Sequence, residues 1–262
     1  MKIDAIFLSN YFNVLRLSDG STAASMNYFR FKSEEAAAKT RDRLRRQSEE
    51  DPLLLDYLGA EGEPDLLRLS LKACVVSALS QRLLAGADSF RVTDRFDPGF
   101  FPPSESAMVI GFGGYMDYLI YMTDIRRIHV SDLWVQQRAG IVRRRLESFK
   151  EKYPGRELTF SDGSDNRERL AGADLVSVTG SAFCTGTMDG LLDAARNCRT
   201  VIVQGQSAAI LPEVLFERGV SLVSTSVKPA NLVELAVEDP QQFKSLLEGK
   251  LPKIYFTPLP DL

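Results

Sequence analysis

Ser106-Ala-Met-Val-Ile-Gly-Phe-Gly-Gly-Tyr-Met-Asp117 decides the reading of this 262-residue chain. An apolar run opens into a glycine cluster and then into a helical pattern, which reads as strand, tight turn, helix. Gly111, Gly113 and Gly114 let the backbone turn sharply and come close to a ligand. The free N–H groups and dipole at a helix start favour an anion there, as in the first βα unit of a nucleotide-binding α/β fold.

Working outward from that unit, the apolar runs are short and alternate with helical stretches. Met108–Gly111, Arg127–Asp132, Glu157–Phe160, Asp174–Thr179, Thr200–Gly205 and Val220–Ser224 are strand candidates, with room for a helix between most neighbours. The pattern predicts a Rossmann-like, mostly parallel sheet over residues 105–262. Right-handed crossovers would put the C-terminal ends of its strands on one edge, where ligands bind at the switch point. Leu251–Leu262, with three prolines, reads as an extended tail.

Upstream the periodicity differs. Ala5–Ser9 and Tyr11–Leu17 are strand-like, Ser18-Asp-Gly-Ser21 is a turn, and Thr22–Phe31 returns extended, so a small antiparallel sheet is expected. Ser33 precedes Glu34 and Glu35 at the start of an Ala- and Arg-rich helix, the order that the helix dipole favours. Residues 64–84, with Pro64 suited to a first helical turn, are apolar on most sides and read as a buried helix. Gly86 to Glu105 carries turn chemistry and paired prolines and reads as a connection. The expected organisation is a smaller α+β cap over 1–104 and the Rossmann-like domain over 105–262.

Composition excludes several classes. A net charge of −3 and a pI near 5.4 leave no electrostatic footprint for nucleic acid or an anionic membrane, and no apolar run reaches the ~20 residues of a membrane span. Cys74, Cys184 and Cys198 are dispersed and accompanied by one histidine, which fits neither a disulfide framework nor a metal-ligand spacing. The expectation is a cytoplasmic protein with a small-molecule ligand, neither nucleic acid nor membrane as partner, and no direct metal site. A homodimer is expected from the frequency of twofold assemblies.

Several residues can carry chemistry. Gly111-Phe-Gly-Gly-Tyr-Met matches G-x-G-x-x-G only in its first two glycines, because Met116 holds the third position. Asp132 lies 21 residues past Gly111 at a strand end, where dinucleotide and S-adenosyl sites place a carboxylate for ribose hydroxyls. The alternative is a plain tight turn with Asp132 capping the next segment. Ser181, Thr185 and Thr187 form a hydroxyl-rich loop after another strand, able to hold a phosphate, carboxylate or carbonyl, or to cap a helix. Gly205 and Ser207 follow the next strand, and Lys228 follows the last, where it could neutralise an anion or be solvated. His129 reads as a buried strand residue, Cys184 as packing near a helix start, and Asp189 and Asp193 as one solvated helix face.

The segments Gly180-Ser-Ala-Phe-Cys-Thr-Gly-Thr-Met-Asp-Gly-Leu-Leu192, Val201–Phe216 and Gly219-Val220, with their G-S-x-x-x-x-G-T and G-x-S-x-x-x-x-P patterns, resemble a domain family called putative heavy-metal chelation. The resemblance implies a Rossmann-like domain preceded by a smaller domain similar to the N-terminal domain of enolases. The family commonly carries Asn where this chain has Cys184. The combined expectation is a ligand cleft between the two parts, built from Gly111, Gly113, Gly114, Asp132, Ser181, Thr185, Thr187, Gly205, Ser207 and Lys228. The ligand would be an amino-acid-derived or anionic metabolite related to metal chelators or metallophores, either simply bound or, if the protein is an enzyme, its substrate. Alternatives are a carrier or sensor of a metal chelate, and a transferase or lyase that uses an S-adenosyl or dinucleotide cofactor. The cofactor would then be an adenine-containing molecule or a chelated metal.

Overall fold

The structure is a computed structural model that describes residues 2–50, 66–84, 88–113, 115–164 and 166–259. The sequence readings at Pro64, Gly86 and Gly114 lie outside the described residues. Two sheets organise the molecule. The smaller is antiparallel, in the order β1 (Ile3–Leu8), β2 (Phe12–Leu17), β3 (Thr22–Met26). Against it pack α1 (Glu34–Glu50) and α2 (Leu66–Leu84). The cap on α1 is as the sequence implies, since Ser33 Oγ accepts from the Ala36 N–H at 3.1 Å.

The larger sheet has eight strands. Six of them are parallel: β5 (Ser106–Ile110), β6 (Arg127–Ser131), β7 (Glu157–Ser161), β8 (Leu175–Thr179), β9 (Thr200–Gln204) and β10 (Leu222–Ser226). Each matches one of the six apolar runs. Between and after them lie α3 (Met116–Tyr121), α4 (Ala139–Lys152), α5 (Asn166–Ala171), α6 (Met188–Ala195), α7 (Pro212–Phe216), α8 (Leu232–Glu238) and α9 (Pro240–Ser245). The spatial order of the parallel strands is β10-β9-β8-β5-β6-β7, so the chain winds outward twice from β5. The switch point lies between β5 and β8.

Both faces of this sheet are covered, which is why its strands read as continuous apolar runs. Met108 and Ile110 of β5 enter one core with Val176, Val178, Val201 and Val203, while Ala107 and Val109 enter the opposite core with Leu175 and Ile202. Two strands were not resolved as such by the sequence. β4 (Phe90–Thr93) falls in the stretch read as a connection, and β11 (Lys253–Pro258) in the stretch read as a tail. They pair antiparallel with each other, and β11 pairs with β10, closing that edge.

The small sheet is buried on both sides. Leu15, Leu17 and Ala23 pack with Leu71, Cys74 and Ala78 of α2, while Val14 and Ala24 face Leu232, Val233, Ala236 and Phe243 of α8 and α9. Arg16 bonds to Asp4 on its own sheet and to Glu234 on α8. This packing carries the end of β3 over the C-terminal edge of the large sheet.

Candidate functional site

A cleft of about 1100 Å³ opens at that edge, on the ends of β5, β6 and β8 and beside α5 and α6, with Met26 and Tyr28 from the small sheet's side in its wall. Its volume suits a metabolite-sized ligand. The turn after β5 forms its floor. Gly111 holds a φ of +97°, a conformation that side chains rarely adopt, and a Cβ there would stand 2.7 Å from Thr179 Cγ2. Glycine at this position therefore lets β5 and β8 close on each other at the switch point.

Asp132 fixes the next wall. Its Oδ2 accepts the Phe112 N–H at 2.8 Å and its Oδ1 accepts the Trp134 N–H at 2.7 Å. One carboxylate thus ties the glycine turn to the loop after β6. Phe112 in turn stacks on Phe160, with centroids 5.7 Å apart, and the Arg138 guanidinium lies over the Phe112 ring, 5.0 Å from its centroid, a cation–π contact. Asp132 acts here as a clasp for two loops.

On the opposite wall the strand β8 passes into a short 3-10 turn, Gly180–Phe183. Gly180 is pressed onto the turn Gln206–Ala208, where a Cβ would meet the Ala208 nitrogen at 2.5 Å. Ser181 Oγ accepts the Tyr28 phenol at 3.0 Å and lies 3.1 Å from Thr179 Oγ1. Thr185 and Thr187 hydroxyls are 2.9 Å apart at the start of α6. Burial pushes the Tyr28 phenol above its ordinary range, which keeps it a donor.

Of the residues singled out in the sequence, the structure brings Gly111, Asp132, Ser181, Thr185 and Thr187 to one cleft. Gly113 is exposed at a φ of +129° and is not among the lining residues. Gly205, Ser207 and Lys228 are not among the lining residues, and the end of β3 covers the turn that holds Ser207. Ser207 Oγ accepts the Met26 N–H at 3.0 Å, and Gly205, at a φ of +119°, receives the Thr225 hydroxyl on its carbonyl. The Lys228 ammonium is buried and donates to the Gln206 carbonyl at 3.1 Å and to Thr225 Oγ1 at 3.2 Å. Desolvation lowers its pKa to about 7.

The other candidates resolve as structure. His129 on β6 bonds to Thr159 and Ser161 of β7. The Cys184 thiol is fully buried, which pushes it up to about 11 and removes the thiolate that a nucleophile needs. Asp189 and Asp193 share one face and both pair with Arg218. Met116 is buried beneath the glycine turn.

Sequence reasoning missed the basic rim. Arg138, Arg167 and Arg196 line the cleft, and among the described residues none of them forms a salt bridge. Tyr28 and Trp134 were also not singled out. Nothing in the local sequence separates these arginines from the solvated ones, and only the crossover topology gathers them. Among the described residues no group of three His, Cys, Asp or Glu could hold a metal ion.

Residues 142–254 match the model of a family described as "Putative heavy-metal chelation" (DUF364), and the G-S-x-x-x-x-G-T and G-x-S-x-x-x-x-P patterns fall inside that match. No curated protein matches the chain. Among solved structures, a protein with unknown function from the same family, from Pyrococcus horikoshii, is similar at 16% identity and a TM-score of 0.60, over 98% of this chain and 93% of that one. Another member with unknown function, from Desulfitobacterium hafniense, is similar at 15% identity and a TM-score of 0.64, over 98% and 91%. The fold is therefore shared along nearly the whole chain.

Proposed function

We propose that the protein binds a small anionic metabolite in the cleft at the β5–β8 switch point, with the hydroxyls of Ser181, Thr185 and Thr187 and the turn at Gly111 as its inner contacts. The observation that carries this reading is the set of three guanidinium groups, Arg138, Arg167 and Arg196, that face one cleft without an ion-pair partner among the described residues. Guanidinium groups match carboxylate and phosphate geometry and keep their charge at any working pH. The three guanidinium groups outnumber the two carboxylates that line the same cleft, Asp132 and Asp193, and Asp193 is paired with Arg218.

The clasp gives Asp132 a task in shaping the site, and each of its oxygens keeps a lone pair that a ligand hydroxyl could also use. The description of the matched family as a metal chelator fits a metal that arrives inside an anionic chelate, with the arginines holding the chelate's carboxylates and no protein ligand on the metal. Isothermal titration of the chain with di- and tricarboxylates, phosphate monoesters and amino-acid-derived chelators, each with and without nickel, cobalt, copper or iron, tests the reading. Saturable binding that weakens about tenfold in each of Arg138→Gln, Arg167→Gln and Arg196→Gln is the expected result. Silence from every anion, with an intact melting transition, would overturn it.

A further inference from the structure

The arginines set the sign of the ligand's charge, and a separate group in the same wall reads its uncharged part. Tyr28, two residues past β3, donates to Ser181 Oγ at 3.0 Å, and Ser181 Oγ lies 3.1 Å from Thr179 Oγ1. All three line the cleft. The Tyr28 loop is braced for this reach, since Asn27 Nδ2 donates to the Ser9 carbonyl at 2.6 Å and Asn27 Oδ1 accepts the Phe29 N–H at 3.0 Å.

A hydroxyl offers one hydrogen and two lone pairs. With the phenol donating, Ser181 Oγ is committed as an acceptor, and one hydrogen, either on Ser181 or on Thr179, is left for an acceptor outside the chain of three. Thr179 Oγ1 also accepts the Ser181 N–H at 3.4 Å, which biases the chain further toward donating into the cleft. An ammonium group is disfavoured, because three guanidinium groups line the cleft against two carboxylates, one of them paired with Arg218.

Resting on the anion reading above, we propose that the ligand is an oxo acid: a small carboxylate with an additional carbonyl oxygen, the arginines taking the carboxylate charge and the Tyr28–Ser181–Thr179 hydroxyls reading the carbonyl. Amino acids of the same skeleton and acids lacking the carbonyl bind less well. A site built to hydrogen-bond a ligand group discriminates against the analogue without it, because its own polar atoms are left unpaired.

Trp134 is the chain's only tryptophan and lines the cleft, so its fluorescence reports occupancy. The probes are 2-oxoglutarate, glutarate and glutamate, which share one carbon skeleton. The wild-type chain is expected to bind 2-oxoglutarate about tenfold more tightly than glutarate, with glutamate the weakest. In the double variant Thr179→Val, Ser181→Ala the preference falls to about one, because 2-oxoglutarate loses more affinity than glutarate does; in Tyr28→Phe it narrows, because the chain loses its direction. Equal wild-type affinities for 2-oxoglutarate and glutarate, a preference retained in the double variant, or an equal loss for both acids in that variant would each overturn the proposal. Failure of all three acids while phosphate esters or chelators bind would overturn the oxo-acid assignment and leave the anion reading standing. Failure of every anion would overturn both.

Discussion

The Asp132 carboxylate and the Phe112 amide meet at 2.8 Å across the turn that follows β5, and the second oxygen of the same carboxylate holds the amide of Trp134. A residue placed where a nucleotide fold puts its ribose contact is thus occupied in shaping the site. Asp132→Asn replaces one of the two acceptor oxygens with a donor and leaves one amide facing it. The expected cost is about 1–3 kcal/mol in denaturant unfolding, together with weaker anion binding. A variant of wild-type stability whose only defect is in binding would mean that Asp132 serves the ligand directly.

Gly180 gives a steric prediction. A Cβ there would overlap the backbone of Ser207 and Ala208, at 2.8 Å and 2.5 Å, and neither backbone can rotate away. Gly180→Ala is expected to cost about 1–3 kcal/mol or more, as overpacking does, and to loosen the turns after β8 and β9 together. Gly172→Ala is the matched control, since nothing lies closer than 4.0 Å to its added carbon. Thermal unfolding of the two variants separates crowding from the general effect of replacing glycine.

Lys228 predicts a pH dependence. Desolvation by burial lowers its pKa to about 7, against roughly 10.4 for a lysine in an unfolded chain. Between those values the unfolded state binds more protons, so stability rises with pH. The penalty for the buried ammonium is complete below pH 7 and is relieved as the pH climbs above it. Wild-type unfolding free energy should rise from pH 7 to 8.5 by up to about 1.4 kcal/mol per unit relative to Lys228→Met. Cys74 and Cys184, whose buried thiols are pushed up to about 12 and about 11, act in the opposite sense at higher pH, which sets the upper end of the window. Parallel curves for the two proteins would place the amine in water.

The cysteines give a simple count. Cys74 and Cys184 are buried, and Cys198 is partly exposed with its thiol directed at the Leu170 carbonyl at 3.0 Å. Thiolate is the reactive species, so a disulfide reagent at pH 7.5 should titrate at most one thiol per native chain and three after denaturation. Rapid reaction of two or more native thiols would contradict the burial of Cys184 beneath Ser207.

The fold was legible where burial on two faces imposed an unbroken apolar run. Met108 to Ile110 and Val201 to Val203 could be read as strands because each successive side chain enters a core. β4 escaped because Arg91 and Val92 are exposed on a short edge strand, and β11 because its prolines masked its pairing. The candidate site was legible in part for a topological reason. Gly111, Asp132 and Ser181 terminate strands of a doubly wound sheet, and such ends converge. Ser207 and Lys228 also follow strands, but β3 lies over Ser207 and the Lys228 ammonium turns inward to Gln206 and Thr225, and no local pattern records a contact between residues 26 and 207. Arg138, Arg167 and Arg196 carry no pattern of their own, since an arginine beside a cleft and one on a solvated helix look alike in sequence.

The small sheet has apolar side chains on both of its faces, one set meeting α2 and the other meeting α8 and α9. A cut between the two parts would bare Val14 and Ala24 on one fragment and Leu232, Val233 and Phe243 on the other. Neither fragment would then be a self-sufficient folding unit. The intact chain should melt in a single cooperative transition, and the two fragments, each aggregation-prone alone, should recover solubility when refolded together.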